Sequence, residues 1–182
     1  MRNLWNFLWP RPVTLSLVIG LVIGVVGGKI FLGQEGGQSQ GKFLRPGEWT
    51  EIVVPANKNW TDTGLEVMAG QRLIFRAEGG ISLQRGNPIA YCGPDGYPMK
   101  TVQQPLKGEN IGALIGKVVK LISIEKDEET GEEKRNEMEE IFYIGRGRQI
   151  YMPLDGHLYL GINEVVVGDN VGSFRVEIKA GR

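Results

Sequence analysis

From residue 13 to residue 28 the chain reads VTLSLVIGLVIGVVGG without a charge, and Lys29-Ile-Phe-Leu32 carries the apolar stretch to about 20 residues, enough for a helix to cross about 30 Å of hydrocarbon. This predicts a transmembrane α-helix over 13–32. Before it stand Trp5, Phe7 and Trp9, rings that settle at a membrane interface, and Arg2 and Arg11, which hold residues 1–12 on the cytoplasmic side. A cleaved signal peptide ending at Val26-Gly27-Gly28 is the competing reading, but its apolar core is normally shorter; the expectation is a retained anchor. The pattern then breaks. Residues 33–42 are rich in Gly, Gln and Ser and form a flexible tether. From 43 to 182, short runs dense in β-branched and aromatic residues alternate with Gly, Pro, Asn and Asp, at 49–54, 72–77, 113–125, 140–144, 149–152, 158–162 and 173–179. Phe174, Val176 and Ile178 face one way and Ser173, Arg175, Glu177 and Lys179 the other. The predicted fold class is all-β, an antiparallel β-sandwich of two sheets behind one transmembrane helix.

Residues 125–140 interrupt the alternation with nine acidic and three basic side chains, a local charge of −6. Gly131 can take a positive φ, so 121–142 is expected to project as a charged β-ribbon with Gly131 at its tip. It is either a solvated hairpin or an arm reaching a basic partner or divalent cations.

The 182 residues carry 21 basic and 21 acidic side chains. Without a cationic surplus a general nucleic-acid binder is not expected, because such binding works by displacing counterions from phosphates. One cysteine, Cys92, cannot form an internal disulfide, and one histidine, His157, leaves no Ser-His-Asp relay or His-rich metal site. No enzymatic activity is expected. Cys92 reads as a small buried thiol, and His157, after Asp155-Gly156, as a surface residue in a turn sharing its proton with Asp155. Arg146 and Arg148 are candidates to balance the acidic ribbon or to touch a partner. Gly20, Gly24 and Gly28 place small residues along one helical face, where a partner helix can approach; the alternative is the general abundance of Gly in membrane helices.

Between two expected strands, 158–174 puts Asn163, Glu164, Asp169 and Asn170 on one short loop. Calcium takes six to eight oxygens from carboxylates, amides, carbonyls and water. These four residues are therefore the candidate metal ligands, although Asn, Asp and Gly also build ordinary turns.

Several segments taken in order resemble the PA-I-like galactophilic lectin family over most of 49–178. They are Val54-Pro-Ala-Asn57 with Trp60-Thr-Asp-Thr-Gly64, Ala69-Gly70, Gly93-Pro-Asp-Gly96, Ile111-Gly-Ala-Leu-Ile-Gly-Lys117, Tyr143-Ile-Gly145, Leu158-Tyr-Leu-Gly-Ile-Asn163 and Asp169-Asn-x-Gly-Ser-Phe174. The resemblance implies a jelly-roll, galactose-binding-like sandwich with a calcium ion on the loop before the last strand, its coordination completed by galactose hydroxyls. Its side-chain ligands would be Glu164, Asp169 and Asn170, with Asp169 and Glu164 nearest the carbohydrate. Sugars also stack on aromatic rings, for which Tyr97 or Tyr91 is the candidate, the alternative being that these rings pack at the edge of a Pro/Gly-rich loop. The chain departs from the family in having Glu164 where Asp is usual and no His near Gly93-Pro-Asp-Gly-Tyr97.

Two functions follow. The first is a non-catalytic accessory subunit of a larger membrane complex, single-pass in the inner membrane, its glycine face against other transmembrane subunits and its lectin-like domain in the periplasm. The second is a membrane-tethered, calcium-dependent, galactose-type lectin. The added ribbon, the glycine face and the missing His favour the first.

Overall fold

The computed structural model describes residues 25–26, 29–30, 41–128 and 130–181. The chain divides into two units, Met1–Gln38 and Ser39–Arg182. In the first, β1 (Val25–Val26) pairs antiparallel with β2 (Lys29–Ile30). The rest of the predicted span, including Gly20, Gly24 and Gly28, lies outside the described residues. Val25, Val26, Lys29 and Ile30 are extended. Among the described residues no helix is long and apolar enough to cross a membrane.

The second unit is built from strands β3 (Lys42–Phe43), β4 (Trp49–Pro55), β5 (Trp60–Val67), β6 (Arg72–Ser82), β7 (Tyr91–Cys92), β8 (Leu114–Lys126), β9 (Glu133–Tyr143), β10 (Gly147–Tyr151), β11 (Gly156–Ile162) and β12 (Val171–Ala180). One 3-10 turn, Pro88–Ala90, interrupts them. They form two sheets, β10-β6-β12-β4 with β7 added beside β6, and β3-β5-β11-β8-β9. Within this unit every pairing is antiparallel except that of β3 with β5.

Alternation places the core between the sheets. Phe174, Val176 and Ile178 of β12 are fully buried, facing Leu65, Val118, Leu158 and Leu160 from the other sheet in one cluster. Full burial of such a side chain stabilises by about 1.5–3 kcal/mol, which is why the inward positions are uniformly apolar. The rings of Phe75 on β6 and Phe142 on β9 lie 6.3 Å apart and tie one sheet to the other.

β5 is absent from the expected strands. Asp62 and Gly64 read as turn residues, yet here they make a bulge inside a strand. The Gly64 N–H donates to Asp62 Oδ1 at 2.7 Å, Gly64 has φ +67°, and the β5/β11 register shifts between Leu158 and Tyr159.

β8 and β9 pair along their whole length, from Ile115 opposite Tyr143 to Lys126 opposite Glu133. Their base is sheet, with β8 also paired to β11 as far as Val119 opposite His157. Beyond Lys120 the two strands, among the described residues, pair only with each other and continue past the paired part of β11 as a ribbon. At the tip the Gly131 N–H donates to the Asp127 carbonyl at 2.9 Å, with φ +74° at Gly131.

The sandwich has two distinct ends. At the entry end, where the chain arrives through β3, the 68–71 turn and the ends of β10 and β12 meet, as Gly70 N–H to Met152 O and Gly47 N–H to Ala180 O show. At the distal end the loops 83–90, 97–113 and 163–170 converge, linked by Arg85 N–H to Asp169 O and Gly112 N–H to Asn163 O.

Candidate functional site

β11 ends at Ile162, and the chain turns through 163–170 into β12, so its polar side chains meet at the distal end. Asn163 is fully buried. Its Oδ1 accepts the Leu106 N–H at 2.8 Å, and its Nδ2 donates to the carbonyls of Leu106 at 3.0 Å and Asn110 at 3.1 Å. Both ends of the amide are therefore committed to the 106–110 backbone. In this arrangement Asn163 serves as a brace for that loop. In sequence a buried bracing amide and a ligating one look alike.

Of the other three candidates, Glu164 and Asn170 are in contact, and Asp169 is near enough for its charge to act on Glu164. Asn170 is buried, and its Nδ2 donates to Glu164 Oε2 at 2.6 Å and to the Ala56 carbonyl at 3.3 Å. Its Oδ1 is buried without a partner among the described residues. Burial pushes the Glu164 carboxyl above its ordinary pKa; the Asn170 hydrogen bond opposes this and the charge of Asp169 adds to it. Asp169 is exposed at the rim. Glu164 also lines a shallow depression of about 150 Å³ with Thr101, Gln104, Ile111, Val165 and Val166.

Sequence reasoning did not single out Gln104. Its Oε1 accepts the Thr101 N–H at 2.7 Å, while its Nε2 is buried and unpartnered among the described residues. A buried polar group without a partner costs about 1–3 kcal/mol. This depression holds an orphaned donor and lies next to an orphaned acceptor, with Glu164 at both. A run of Gln and Pro in an unstructured loop carries no pattern from which such a role could be read.

The residues fit a hard divalent cation in donor chemistry: two carboxylates and an amide oxygen at one loop end, with loop carbonyls nearby. Among the described residues no group of three His, Cys, Asp or Glu side chains is placed to hold a metal ion, so any such site depends on the Asn170 oxygen. Tyr97 does not stand out as a platform. It is half-buried, packs against the core and bridges Ile111 through the backbone. Cys92 lies beneath, buried, its thiol pushed up to about 11 by burial and by the charge of Glu164.

Elsewhere several polar side chains are committed to one another. His157 lies on β11 rather than in a turn. Its Nδ1 is 2.8 Å from Glu66 Oε1 and its Nε2 2.6 Å from Asp62 Oδ1, while Asp155 accepts from Ala69 N–H and Lys120 Nζ instead. Arg146 holds Asp95 at 2.7 Å and Arg148 lies over the Tyr143 ring, so neither balances the ribbon. A wider groove between Arg76, Glu78, Arg175 and Glu177 is lined by alternating charges, with Arg175 bridging Glu51 and Glu78.

The His157 cluster predicts a two-sided dependence of stability on pH. Burial disfavours the imidazolium, but hydrogen bonds to Asp62 and Glu66 and their charges outweigh it, leaving the folded pKa above 6.5. The resulting stabilisation is present below 6.5 and is lost as pH rises through the higher folded value. Asp62 is held below 3.8, chiefly by the His157 hydrogen bond, so its share is present above 3.8 and is lost as pH falls through the lower folded value. Denaturation midpoints across pH should show both limbs, and His157→Gln should flatten the upper one; an unchanged upper limb in that variant would place its origin elsewhere.

No protein-family model matches the sequence, and no curated protein matches it. Among solved structures the chain is similar to one described as "EclA N-terminal domain; PllA-like lectin", at 18% identity and a TM-score of 0.49, over 71% of this chain and 94% of that one.

Proposed function

We propose that this chain is a non-catalytic recognition module that binds calcium at Glu164, Asp169 and Asn170 and takes a saccharide at the adjoining depression. The observation that carries the reading is the pairing of orphaned groups around Glu164, the Asn170 Oδ1 acceptor and the Gln104 Nε2 donor. A cation would answer the first and the ionised Glu164; a ligand hydroxyl would answer the second. Calcium in such a place supplies a centre to which two neighbouring hydroxyls can bind, and the protein's part is to orient them. The apolar stretch 13–32 would hold the module at the inner membrane, residues 1–12 in the cytoplasm and the sandwich in the periplasm.

A specific observation favours the second reading, an accessory subunit of a membrane complex. Val102, Val165 and Val166 rim the site at 81%, 57% and 72% exposure, and an apolar rim suits a protein surface better than a hydroxylated ring. In that reading Gly20, Gly24 and Gly28 pack against neighbouring transmembrane helices.

Purification in mild detergent separates the two. Retention of the isolated chain on galactose resin with calcium, and release by chelator, is the result expected of the lectin. Migration with other membrane proteins and no retention on any sugar resin would give the case to the subunit.

A further inference from the structure

The ribbon beyond Lys120 ends in solvent, yet it is not dressed for solvent. Leu121, Ile122, Ile124 and Met138 stand 43–55% exposed on a two-stranded arm whose strands, among the described residues, pair there only with each other. An isolated hairpin is marginal by itself, and its crowding of like charges adds to the cost. Both features call for a partner that is apolar and cationic.

The entry end of the sandwich has that character. A depression of about 470 Å³ there is lined by Met68, Gln71, Arg72, Tyr151 and Gly181. In its wall Met68 and Tyr151 are 56% and 61% exposed, and at the same end of the sandwich Phe43 of β3 and Trp49, the first residue of β4, are 53% and 43% exposed. Lys179 and Arg76 lie over the Trp49 ring at 4.9 and 5.5 Å, and Lys42 and Arg45 share the single carboxylate of Glu48. The ribbon belongs to the opposite edge of its sheet from β3, and none of its residues lines this depression.

We infer that the ribbon of one copy docks into the entry-end depression of a second copy, its acidic side chains against Arg45, Arg72 and Lys179 and its isoleucines against Met68 and Tyr151. The −6 charge of 125–140 faces a cationic, aromatic surface, so the contact weakens as salt shortens the screening length to below about 8 Å. The observations favour a second copy over an anionic membrane, since the acidic arm leaves from the same end and would be repelled.

The test uses the full chain in mild detergent. One tagged population carries Ile124→Cys, a second carries Met68→Cys, and a third carries Val102→Cys at the distal end; all three positions are exposed, and Cys92 is buried. Mixed and mildly oxidised, the first two should give a mixed disulfide in at least about tenfold higher yield than the first and third, as expected for a docked pair with a raised effective concentration. Glu133→Lys with Glu137→Lys should abolish that excess, and Arg45→Glu with Arg72→Glu in the partner should restore it. Equal yields at Met68 and Val102, or an excess that survives charge reversal, would overturn the inference. So would cross-linking of Ile124→Cys only to a different polypeptide in membranes.

Discussion

Asn163→Ala should destabilise the sandwich by about 2–4 kcal/mol, because it leaves the Leu106 N–H and the Leu106 and Asn110 carbonyls without the partner that now satisfies all three. The effect belongs to the loop as much as to the core. Residues 97–113 contain no regular strand, and the Asn163 amide is the side chain that fastens them to the end of β11. Denaturant unfolding should show the loss, and limited proteolysis should cut first between 99 and 110. Calcium should not reverse it, since the lost bonds run to the 106–110 backbone and not to the cation site. A variant with wild-type stability but no calcium binding would make Asn163 a ligand after all.

Glu164→Gln should have the largest effect on binding, and in two opposite directions. Its carboxyl is raised above 4.5 by burial, so its ionised form is disfavoured in the folded state. The stability associated with it falls as pH rises from 4.5 through the folded value and stays low at neutral pH. Glutamine removes that cost while keeping an oxygen for the Asn170 Nδ2. The apo variant should therefore melt at or above the wild-type temperature at neutral pH, and it should lose calcium binding by at least about tenfold, because a charged hard ligand has been replaced by a neutral one. In the wild type, protons and calcium compete for the same oxygens, so affinity should fall as pH is lowered through the Glu164 titration. Calorimetry with calcium across that range checks both statements. Undiminished affinity in the variant would remove Glu164 from the site.

The strands that pack by simple alternation were legible in the sequence, β12 most plainly, since a period of two with one apolar face has a single stable placement. Gly131 and the charges around it likewise mark a turn between two strands. Legibility failed where a local signal was answered by a distant residue. Asp62-Thr63-Gly64 has the composition of a turn, and only pairing with β11 makes it a bulge within β5. His157 has Asp155 two residues away, yet its partners are Asp62 and Glu66, 95 and 91 residues away on the neighbouring strand. The site divides in the same way. Glu164, Asp169 and Asn170 sit on one loop and could be found by spacing. The bracing role of Asn163 and the orphaned Gln104 depend on a second loop whose path no local pattern encodes.

Thermal melting of the full chain in detergent at neutral pH, with calcium or with a chelator, tests the recognition site most directly. A ligand at one hundred times its dissociation constant stabilises the folded state by about 2.7 kcal/mol. The midpoint should rise with calcium in the wild type and rise clearly less in Glu164→Gln. Identical midpoints with and without calcium in the wild type would contradict a cation at Glu164, Asp169 and Asn170.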